Sequence, residues 1–268
     1  MINTHNHREG SLVIAGSGIK FMSHLSTEVK AYIANSDLVL YLVNDPAIRE
    51  WIQSNSKKFE SLNDIYFQHI ARHQSYQAVS DYILEKLQSN IHICVVTYGH
   101  PTFLAQPTID AVKRAREAGY YAIALPGISS LDCLFADLLI DPGDNGCQIF
   151  EATDFYIRKR QFDLSSHLVL LQVGYLGHLN LEEPKDQSNR LQIFSDYLQR
   201  FYPANHTVVV YEAAIYPTFQ PHIISVELKH LSSAKLTALS SLYLSPAVTV
   251  HADQEQLKKL GMETKGFS

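Results

Sequence analysis

The first half of the chain alternates short, continuous apolar runs with longer segments in which apolar and polar residues recur at helical spacing. Uninterrupted runs of Val, Ile and Leu are typical of strands that are buried on both faces of a parallel sheet. The alternation of such strands with helices predicts a parallel αβα layer over the first 125 residues. The predicted strands begin at residue 11 and span 38–43, 91–97 and 121–125.

The second half has more closely spaced apolar runs with fewer helical segments between them, which predicts a mixed sheet. A Pro-Gly-Ile-Ser stretch that begins at Pro126 marks the predicted junction between two domains. The sequence thus predicts a two-domain α/β protein. The predicted parts are an αβα domain at 1–126, a mixed αβ domain at 127–250 and a tail at 251–268; the later strands lie near 147–151, 167–173, 206–212, 222–227 and 241–244, with a helix near 187–200.

Composition narrows the function classes. The net charge of -5 comes from 27 acidic and 22 basic residues without a basic cluster, so a nucleic-acid partner is not expected. No apolar run approaches the roughly 20 residues that cross a bilayer, and the polar amino terminus lacks a signal peptide, so no membrane is expected. Cys94, Cys133 and Cys147 are widely spaced, which favours a reducing cytoplasm over a disulfide framework, and the 13 histidines show no metal-ligand spacing.

Two glycine-containing turns follow predicted strands. The stretch from Thr97 to Pro101 reads Thr-Tyr-Gly-His-Pro, which places polar groups at the carboxyl edge of the sheet, where open α/β sheets bind ligands. A ligand-free turn is the simpler alternative for this stretch taken alone. The first strand ends in Gly16-Ser17-Gly18, but a dinucleotide fingerprint would need a further glycine at Phe21, so that reading is weak.

Segment 64–88 predicts the longest helix of the first half. At ~100° per residue, its amino-terminal part carries an unusually polar aromatic face. Exposed faces more often carry Lys and Glu, although a solvated face remains the simpler alternative. Arg72 and Tyr76 are neighbours at i, i+4, where the guanidinium would favour a phenolate that could act as a general base. The residues on this face are Tyr66, His69, Arg72, His73 and Tyr76.

These motifs together resemble the tetrapyrrole methylase superfamily, two-domain methyltransferases that use S-adenosylmethionine. The Tyr-Gly-His-Pro turn, in place of a Gly-Asp-Pro type turn, and the Arg72-x-x-x-Tyr76 pair more closely resemble the borosin peptide backbone α-N-methyltransferases. The resemblance runs from about residue 10 to residue 246. Its further matches are the Pro126 junction, Ala136-Asp137-Leu138, Ile140-Asp141-Pro142-Gly143, Phe150-Glu151-Ala152, Tyr211-Glu212-Ala213-Ala214 and Leu239-Ser240-Ser241-Leu242.

The resemblance implies a methyl donor, S-adenosylmethionine, in a cleft between the two domains, with S-adenosylhomocysteine as product. By the same resemblance, Tyr76 is the base that removes the proton of a peptide amide, and Arg72 assists it and holds developing negative charge. Tyr66 and Tyr98 would position the amide and its oxygen. The implied donor-binding residues are Tyr98, His100, Phe103, Ser129, Gln172, Ala213, Ser240 and Ser241.

Some members of this family carry their substrate as a long carboxyl-terminal extension, and this sequence ends at Ser268 without one. The resemblance therefore predicts a split arrangement, in which the substrate is a separate precursor peptide with a helical leader. It also implies a homodimer, extended to a heterotetramer when two precursors bind.

Three other functions stay open on the sequence. A tetrapyrrole or other small-molecule methyltransferase is disfavoured because only Arg72 can be assigned to the cleft, whereas a macrocycle with several carboxylates would call for several cations. A peptide-binding module without turnover and a dinucleotide-dependent oxidoreductase are the remaining alternatives. The preferred interpretation is an S-adenosylmethionine-dependent enzyme that methylates peptide backbone nitrogens.

Overall fold

The computed structural model describes residues 9–69, 71–178, 180 and 186–262. The chain divides into two compact units, each built on one five-stranded sheet. Among the described residues no helix combines the length and the hydrophobicity that crossing a membrane requires. The first unit comprises Met1–Leu139, His178–Glu183 and Glu212–His222, and the second comprises Ile140–Gly177, Pro184–Tyr211 and Ile223–Ser268.

The first unit is the parallel αβα layer that the sequence predicts, with strand order β3-β2-β4-β1-β5. All of its strand pairs are parallel, and both faces of the sheet are covered by helices. Its elements are β1 (Ser11–Gly16), α1 (Thr27–Asn35), β2 (Leu38–Leu42), α2 (Pro46–Asn55), β3 (Phe59–Ser61), α3 (Asn63–Tyr66), α4 (Arg72–Leu87), β4 (His92–Thr97), α5 (Gln106–Glu117), β5 (Tyr121–Ala124) and α6 (Ser130–Leu138).

Alternation along the strands explains the two cores of this unit. Leu12 and Ile14 pack with α4 and α5, whereas Val13 and Ala15 pack with α1 and α2. Both sets are fully or almost fully buried, which is why the strands read as continuous apolar runs. β3, which the sequence did not predict, is a three-residue edge strand.

The second unit contains the mixed sheet expected from the sequence, in the order β6-β7-β10-β8-β9. β6 runs parallel to β7, whereas β10 runs antiparallel to both β7 and β8. Phe155 and Phe194 are fully buried at the centre of an aromatic core. The elements are β6 (Cys147–Glu151), α7 (Ala152–Ile157), β7 (His167–Leu171), α8 (Ser188–Leu198), β8 (Thr207–Glu212), β9 (His222–Glu227), β10 (Ser241–Leu244) and α9 (Gln254–Lys259), with 3-10 turns at Val173–Tyr175 and Leu228–Ser233.

The division between the units differs from the boundary expected at residue 126. The first unit continues through α6 to Leu139, and it also includes the later segment Glu212–His222. Residues after 250 belong to the second unit, where Leu257 of α9 is buried. The frayed terminus expected around Lys265 lies outside the described residues.

Candidate functional site

The Tyr-Gly-His-Pro turn interlocks with the turn that follows β1. Gly18 N–H donates to Gly99 O at 3.2 Å, and Gly99 N–H donates to Gly18 O at 3.1 Å. Both glycines have left-handed φ, 68° and 71°. A Cβ on Gly16 would lie 2.0 Å from Gly99 O, so this position also requires glycine. Gly16 at the end of β1 and Gly18 after it are therefore needed for the approach of the second turn at the carboxyl edge of the sheet.

Tyr98 lies just beyond β4, where its backbone N–H donates to Leu42 O at 3.3 Å. About 40% of the residue is exposed, yet burial of the remainder raises the pKa of its phenol to about 12, and the nearby Cys133 and Asp45 side chains add to the rise. A phenol with so high a pKa stays protonated at neutral pH. Tyr98 is therefore suited to donate a hydrogen bond rather than to accept a proton.

His100 and Phe103 follow in the same turn, and both are half-buried. His100 Nδ1 accepts a hydrogen bond from Thr102 N–H at 3.2 Å, which fixes the ring against its own backbone. Leu104 next to Phe103 adopts left-handed φ of 52° and is 47% exposed. Such a conformation is unusual for a bulky residue, and backbone strain of this kind clusters at ligand sites.

Ser129 is buried at the N-cap of α6 and all of its polar groups are engaged locally. Its hydroxyl and its N–H both donate to Asp132 Oδ2 at 2.6 Å, and its Oγ accepts from Leu131 N–H. This capping box explains a serine at this position without a ligand. Ser129 shapes the turn after β5, next to Gly127, where a Cβ would lie 3.4 Å from Gly99 O.

The predicted helix 64–88 is wrong as a single element. The chain forms α3, leaves helical geometry, and restarts as α4 at Arg72. The break has a tertiary cause, because Ala71 is extended and forms an antiparallel bridge with Asn180. Arg72 Nη2 donates to Asn180 O at 3.4 Å, so the guanidinium is held at this bridge.

The break nevertheless brings two of the predicted catalytic side chains together. The rings of Tyr66 and Tyr76 stack with centroids 6.1 Å apart and an interplanar angle of 26°. Phe67 packs edge-on against Tyr66 at 5.1 Å and is 54% exposed. Both tyrosines and Arg72 are half-buried. In such a setting the ring of a tyrosine packs against apolar groups while its hydroxyl stays accessible. His69 does not share the α4 face, and His73 is exposed there.

A second group of predicted residues lies in the second unit, at one end of its sheet. Gln172 follows β7 in left-handed geometry, with φ of 55° and ψ of 32°. Val173 N–H donates to Ser240 O at 3.2 Å, and a Cβ on Gly174 would lie 1.8 Å from Thr237 O. The turn after β7 therefore presses against the turn before β10, which places Gln172 beside Ser240 and Ser241.

Ser240 resembles Ser129 in being engaged by its own turn. It is fully buried, its Oγ accepts from Thr237 N–H at 2.8 Å, and its N–H donates to Thr237 O at 3.1 Å. Ser241 is 5% exposed and pairs with Tyr211 in the β8–β10 ladder. These serines hold the shape of the turn, and Gln172 is the partly exposed polar side chain of the group.

Ala213 belongs to the first unit, in the segment Glu212–His222. Two contacts anchor this segment to the carboxyl edge of the parallel sheet. Phe21 N–H donates to Ile215 O at 2.8 Å, and Tyr216 OH donates to Asp45 Oδ2 at 2.5 Å. Asp45 also caps α2 through Ile48 N–H, so it links the segment to the end of β2.

Sequence reasoning missed Thr97, the last residue of β4. It is 6% exposed, and its Oγ1 has no hydrogen-bond partner among the described residues. Ile93 and Val95 pack with α4, so alternation along β4 places Thr97 on the same face of the sheet. A buried hydroxyl without a partner costs free energy unless a ligand or water satisfies it. No local pattern distinguishes Thr97 from an ordinary strand residue.

The predicted donor-binding residues suit S-adenosylmethionine in part. In the first unit, Tyr98 and His100 offer hydrogen bonds and Phe103 offers a half-buried aromatic face, which suit the polar groups and the adenine of such a molecule. In the second unit, Gln172 offers a partly exposed amide. Ser129 and Ser240 are engaged by their own turns and fit as residues that shape the site. Among the described residues, no group of His, Cys, Asp and Glu side chains could hold a metal ion.

Comparison with known proteins gives a match to the family of tetrapyrrole (corrin/porphyrin) methylases over residues 11–231. The chain is 35% identical to a methyltransferase/ribosomally synthesized type I borosin cyclic peptide precursor of Coprinopsis marcescibilis, over 97% of this chain and 68% of that protein. It is 34% identical to a type III borosin precursor of Anomoporia bombycina and 33% identical to the gymnopeptides precursor of Gymnopus fusipes, each over 97% of this chain. It spans 31% and 63% of the lengths of these two relatives.

Solved structures share the fold at low sequence identity. Uroporphyrin-III C-methyltransferase of Thermus thermophilus, complexed with S-adenosylhomocysteine, has a TM-score of 0.62 and 14% identity, over 89% of this chain and 98% of that chain. A cobalt precorrin-4 methyltransferase gives 0.61 and 14%, over 90% and 96%. Diphthine synthase gives 0.61 and 14%, over 90% and 91%.

Proposed function

This chain belongs to the tetrapyrrole methylase family and is a methyltransferase that uses S-adenosylmethionine, and we propose that it methylates backbone amide nitrogens of a peptide. The observation that carries this proposal is the stacked pair of Tyr66 and Tyr76 beside Arg72 at the start of α4. The borosin relatives, whose names describe them as cyclic peptide precursors, support a peptide acceptor.

A peptide nitrogen is a poor nucleophile because its lone pair is delocalised into the carbonyl group. The reaction therefore needs removal of the amide proton and stabilisation of the negative charge that moves onto the amide oxygen. Tyr76 acts as the base: it accepts the proton from nitrogen while the new N–C bond forms and the bond between the donor sulfur and its methyl group breaks, so that S-adenosylhomocysteine leaves. Arg72 lies one turn before Tyr76 and offsets the charge that develops in this step.

The other two tyrosines hold the amide. Tyr98 stays protonated, since the pKa of its phenol is raised to about 12, and it donates a hydrogen bond to the amide oxygen. Tyr66 stacks on Tyr76 and fixes the orientation of that ring, and its partner Phe67 gives an apolar wall for the acceptor peptide. Positioning of the two reactants contributes much of the remaining acceleration.

We assign donor binding to Tyr98, His100, Phe103, Gln172, Ala213 and Ser241, with Ser129 and Ser240 shaping the turns. When bound, S-adenosylmethionine supplies an electrophilic methyl group on a sulfonium. Gly16 and Gly99 let the first two turns of the parallel sheet close on each other, which fixes the backbone that carries Tyr98 and His100.

Mass spectrometry tests the proposal directly. The purified chain is incubated with S-adenosylmethionine and with candidate precursor peptides encoded beside its gene, and intact and fragment masses are recorded. Stepwise methyl additions on backbone nitrogens are the expected result. If the protein binds the donor and methylates a tetrapyrrole but none of the peptides, the peptide acceptor is wrong while the family assignment stands.

The separate precursor with a helical leader and the homodimer expected from the sequence belong to the same proposal. Methylation of a peptide added as a separate molecule tests the first, with a leaderless peptide as the control. Light scattering of the protein alone and with precursor tests the dimer and the heterotetramer. A monomer with full turnover would contradict a required dimer.

A further inference from the structure

His24 lies in the segment between β1 and α1 and accepts two backbone hydrogen bonds at a single ring nitrogen. Ile19 N–H and Lys20 N–H both donate to Nδ1 at 3.1 Å. A nitrogen that accepts cannot carry a proton, so the ring is neutral and its own N–H is on Nε2. The geometry of the turn therefore fixes both the charge and the tautomer of His24.

The turn that His24 holds is the one that interlocks with the Tyr-Gly-His-Pro turn. A Cβ on Gly18 would lie 2.1 Å from the Cβ of His24, so the side chain packs directly on this glycine. Gly18 exchanges two backbone hydrogen bonds with Gly99. Ile19 is buried, and its Cδ1 lies 3.5 Å from where a Cβ on Gly99 would stand. A continuous set of contacts thus leads from His24 to the backbone between Tyr98 and His100.

We propose that neutral His24 is a positioning residue for the donor-binding turn, and that its protonation releases this turn and weakens donor binding. The inference rests on the proposed function, because it takes the turn at Gly99 as part of the donor site. Protonation of Nδ1 would replace an acceptor with a donor that faces two backbone N–H groups. Both hydrogen bonds would be lost, and the Gly18–Gly99 pair would lose its support.

The charges around His24 set the pH range of the effect. Burial lowers the pKa of His24 from its usual 6.5, Lys20 in the same turn lowers it further, and Asp132 at the start of α6 opposes them. A lowered pKa means that the folded turn disfavours the proton. Its contribution is therefore fully present above the usual value and is lost as the pH falls below it.

Three variants separate positioning from general stability. His24→Asn puts an uncharged amide oxygen close to the place of Nδ1, where it can accept the same N–H groups without titrating. His24→Leu removes the acceptor at every pH. His92→Asn is the matched control, because His92 Nδ1 also has a hydrogen bond, to Ser11 Oγ at 2.9 Å, but lies at the opposite edge of the same sheet.

Calorimetric affinity for S-adenosylhomocysteine is measured for each protein between about pH 8 and about pH 4.5, because the usual histidine pKa is about 6.5 and that of His24 lies lower. For the unmodified chain and for His92→Asn we expect a loss of about tenfold or more on acidification, the size expected from one or two hydrogen bonds. His24→Asn should bind nearly equally across the range, and His24→Leu should bind weakly throughout.

The outcomes distinguish a failure of the role proposed for His24 from a failure of the proposed donor site. An acid loss in His24→Asn equal to that of the unmodified chain would overturn the role of His24 and leave the donor site intact. An absence of binding at any pH in the unmodified chain would contradict the donor site itself, and the inference with it. Thermal unfolding of His24→Leu without ligand is the check on folding. If that variant is unfolded, the test rests on His24→Asn and His92→Asn, whose losses of S-adenosylhomocysteine affinity on acidification are then compared.

Discussion

Tyr66 and Tyr76 stack at a centroid distance of 6.1 Å although a break in the helix separates them. The antiparallel bridge between Ala71 and Asn180 causes the break and sets where α4 restarts. Arg72, the first residue of α4, donates to the carbonyl group of the same Asn180. The proposed base, its aromatic neighbour and its cation are thus placed by one local departure from helical geometry.

Tyr76→Phe should reduce methyl transfer by about a hundredfold or more, as expected for loss of a general base. Affinity for S-adenosylhomocysteine should be unchanged, because Tyr76 is not assigned to donor binding. Tyr82→Phe is the control, since Tyr82 lies in the same helix but its hydroxyl donates to the Glu60 carboxylate, which has no assigned role in the reaction. Near-normal turnover in Tyr76→Phe, measured by peptide mass spectrometry, would make the base assignment wrong.

Tyr98→Phe should lower turnover by roughly a hundredfold to a thousandfold, the range for loss of one donor to a developing oxyanion. Because the pKa of Tyr98 is raised to about 12, its phenol stays protonated through neutral and mildly alkaline pH. The pH–rate profiles of the variant and of the unmodified protein should therefore have the same shape below about pH 10, because this range lies well below the pKa of Tyr98. An alkaline limb that the unmodified protein shows below about pH 10 and the variant lacks would indicate that Tyr98 itself titrates during turnover.

Thr97→Val should stabilise the free protein but weaken its binding of the peptide acceptor. Its buried hydroxyl lacks a partner among the described residues, so an isosteric methyl should stabilise the free protein by up to about 1 kcal/mol. If the hydroxyl binds the acceptor on the α4 face, the KM for peptide should rise severalfold while S-adenosylhomocysteine affinity stays the same. Equal stability and equal KM would identify Thr97 as an ordinary strand residue.

Gly16→Ala should destabilise the protein by more than about 2 kcal/mol, because the new Cβ would overlap Gly99 O at a separation of 2.0 Å. It should also weaken S-adenosylhomocysteine binding, since the turn at Gly99 must move. Gly119→Ala is the control: its φ is +87°, but among the described residues no atom beyond its chain neighbours lies within 4 Å of a new Cβ, so only about 1 kcal/mol of backbone strain is expected. Denaturant unfolding and calorimetry measure both effects.

The comparisons confirm the tetrapyrrole methylase family and its α/β fold, which the sequence indicated through several short motifs in order. The strands at Leu38–Leu42, Cys147–Glu151 and Ser241–Leu244 are close to their predicted bounds. Leu38–Leu42 and Ser241–Leu244 are buried almost throughout, and burial on both faces leaves little choice of residue. The residue roles at the candidate site, the cytoplasmic location and the oligomeric state stay predictions.

The sequence by itself determined every described strand except β3, together with the glycine turns and the family, since each depends on residues that are close together in the chain. Only the tertiary structure decided that helix 64–88 breaks, because the break depends on Asn180, far away in sequence. It also extended the first unit to Leu139 and gave His24 two backbone donors. Local pattern encodes secondary structure, whereas contacts between distant residues decide which side chains meet, and those contacts carry the chemistry proposed for this protein.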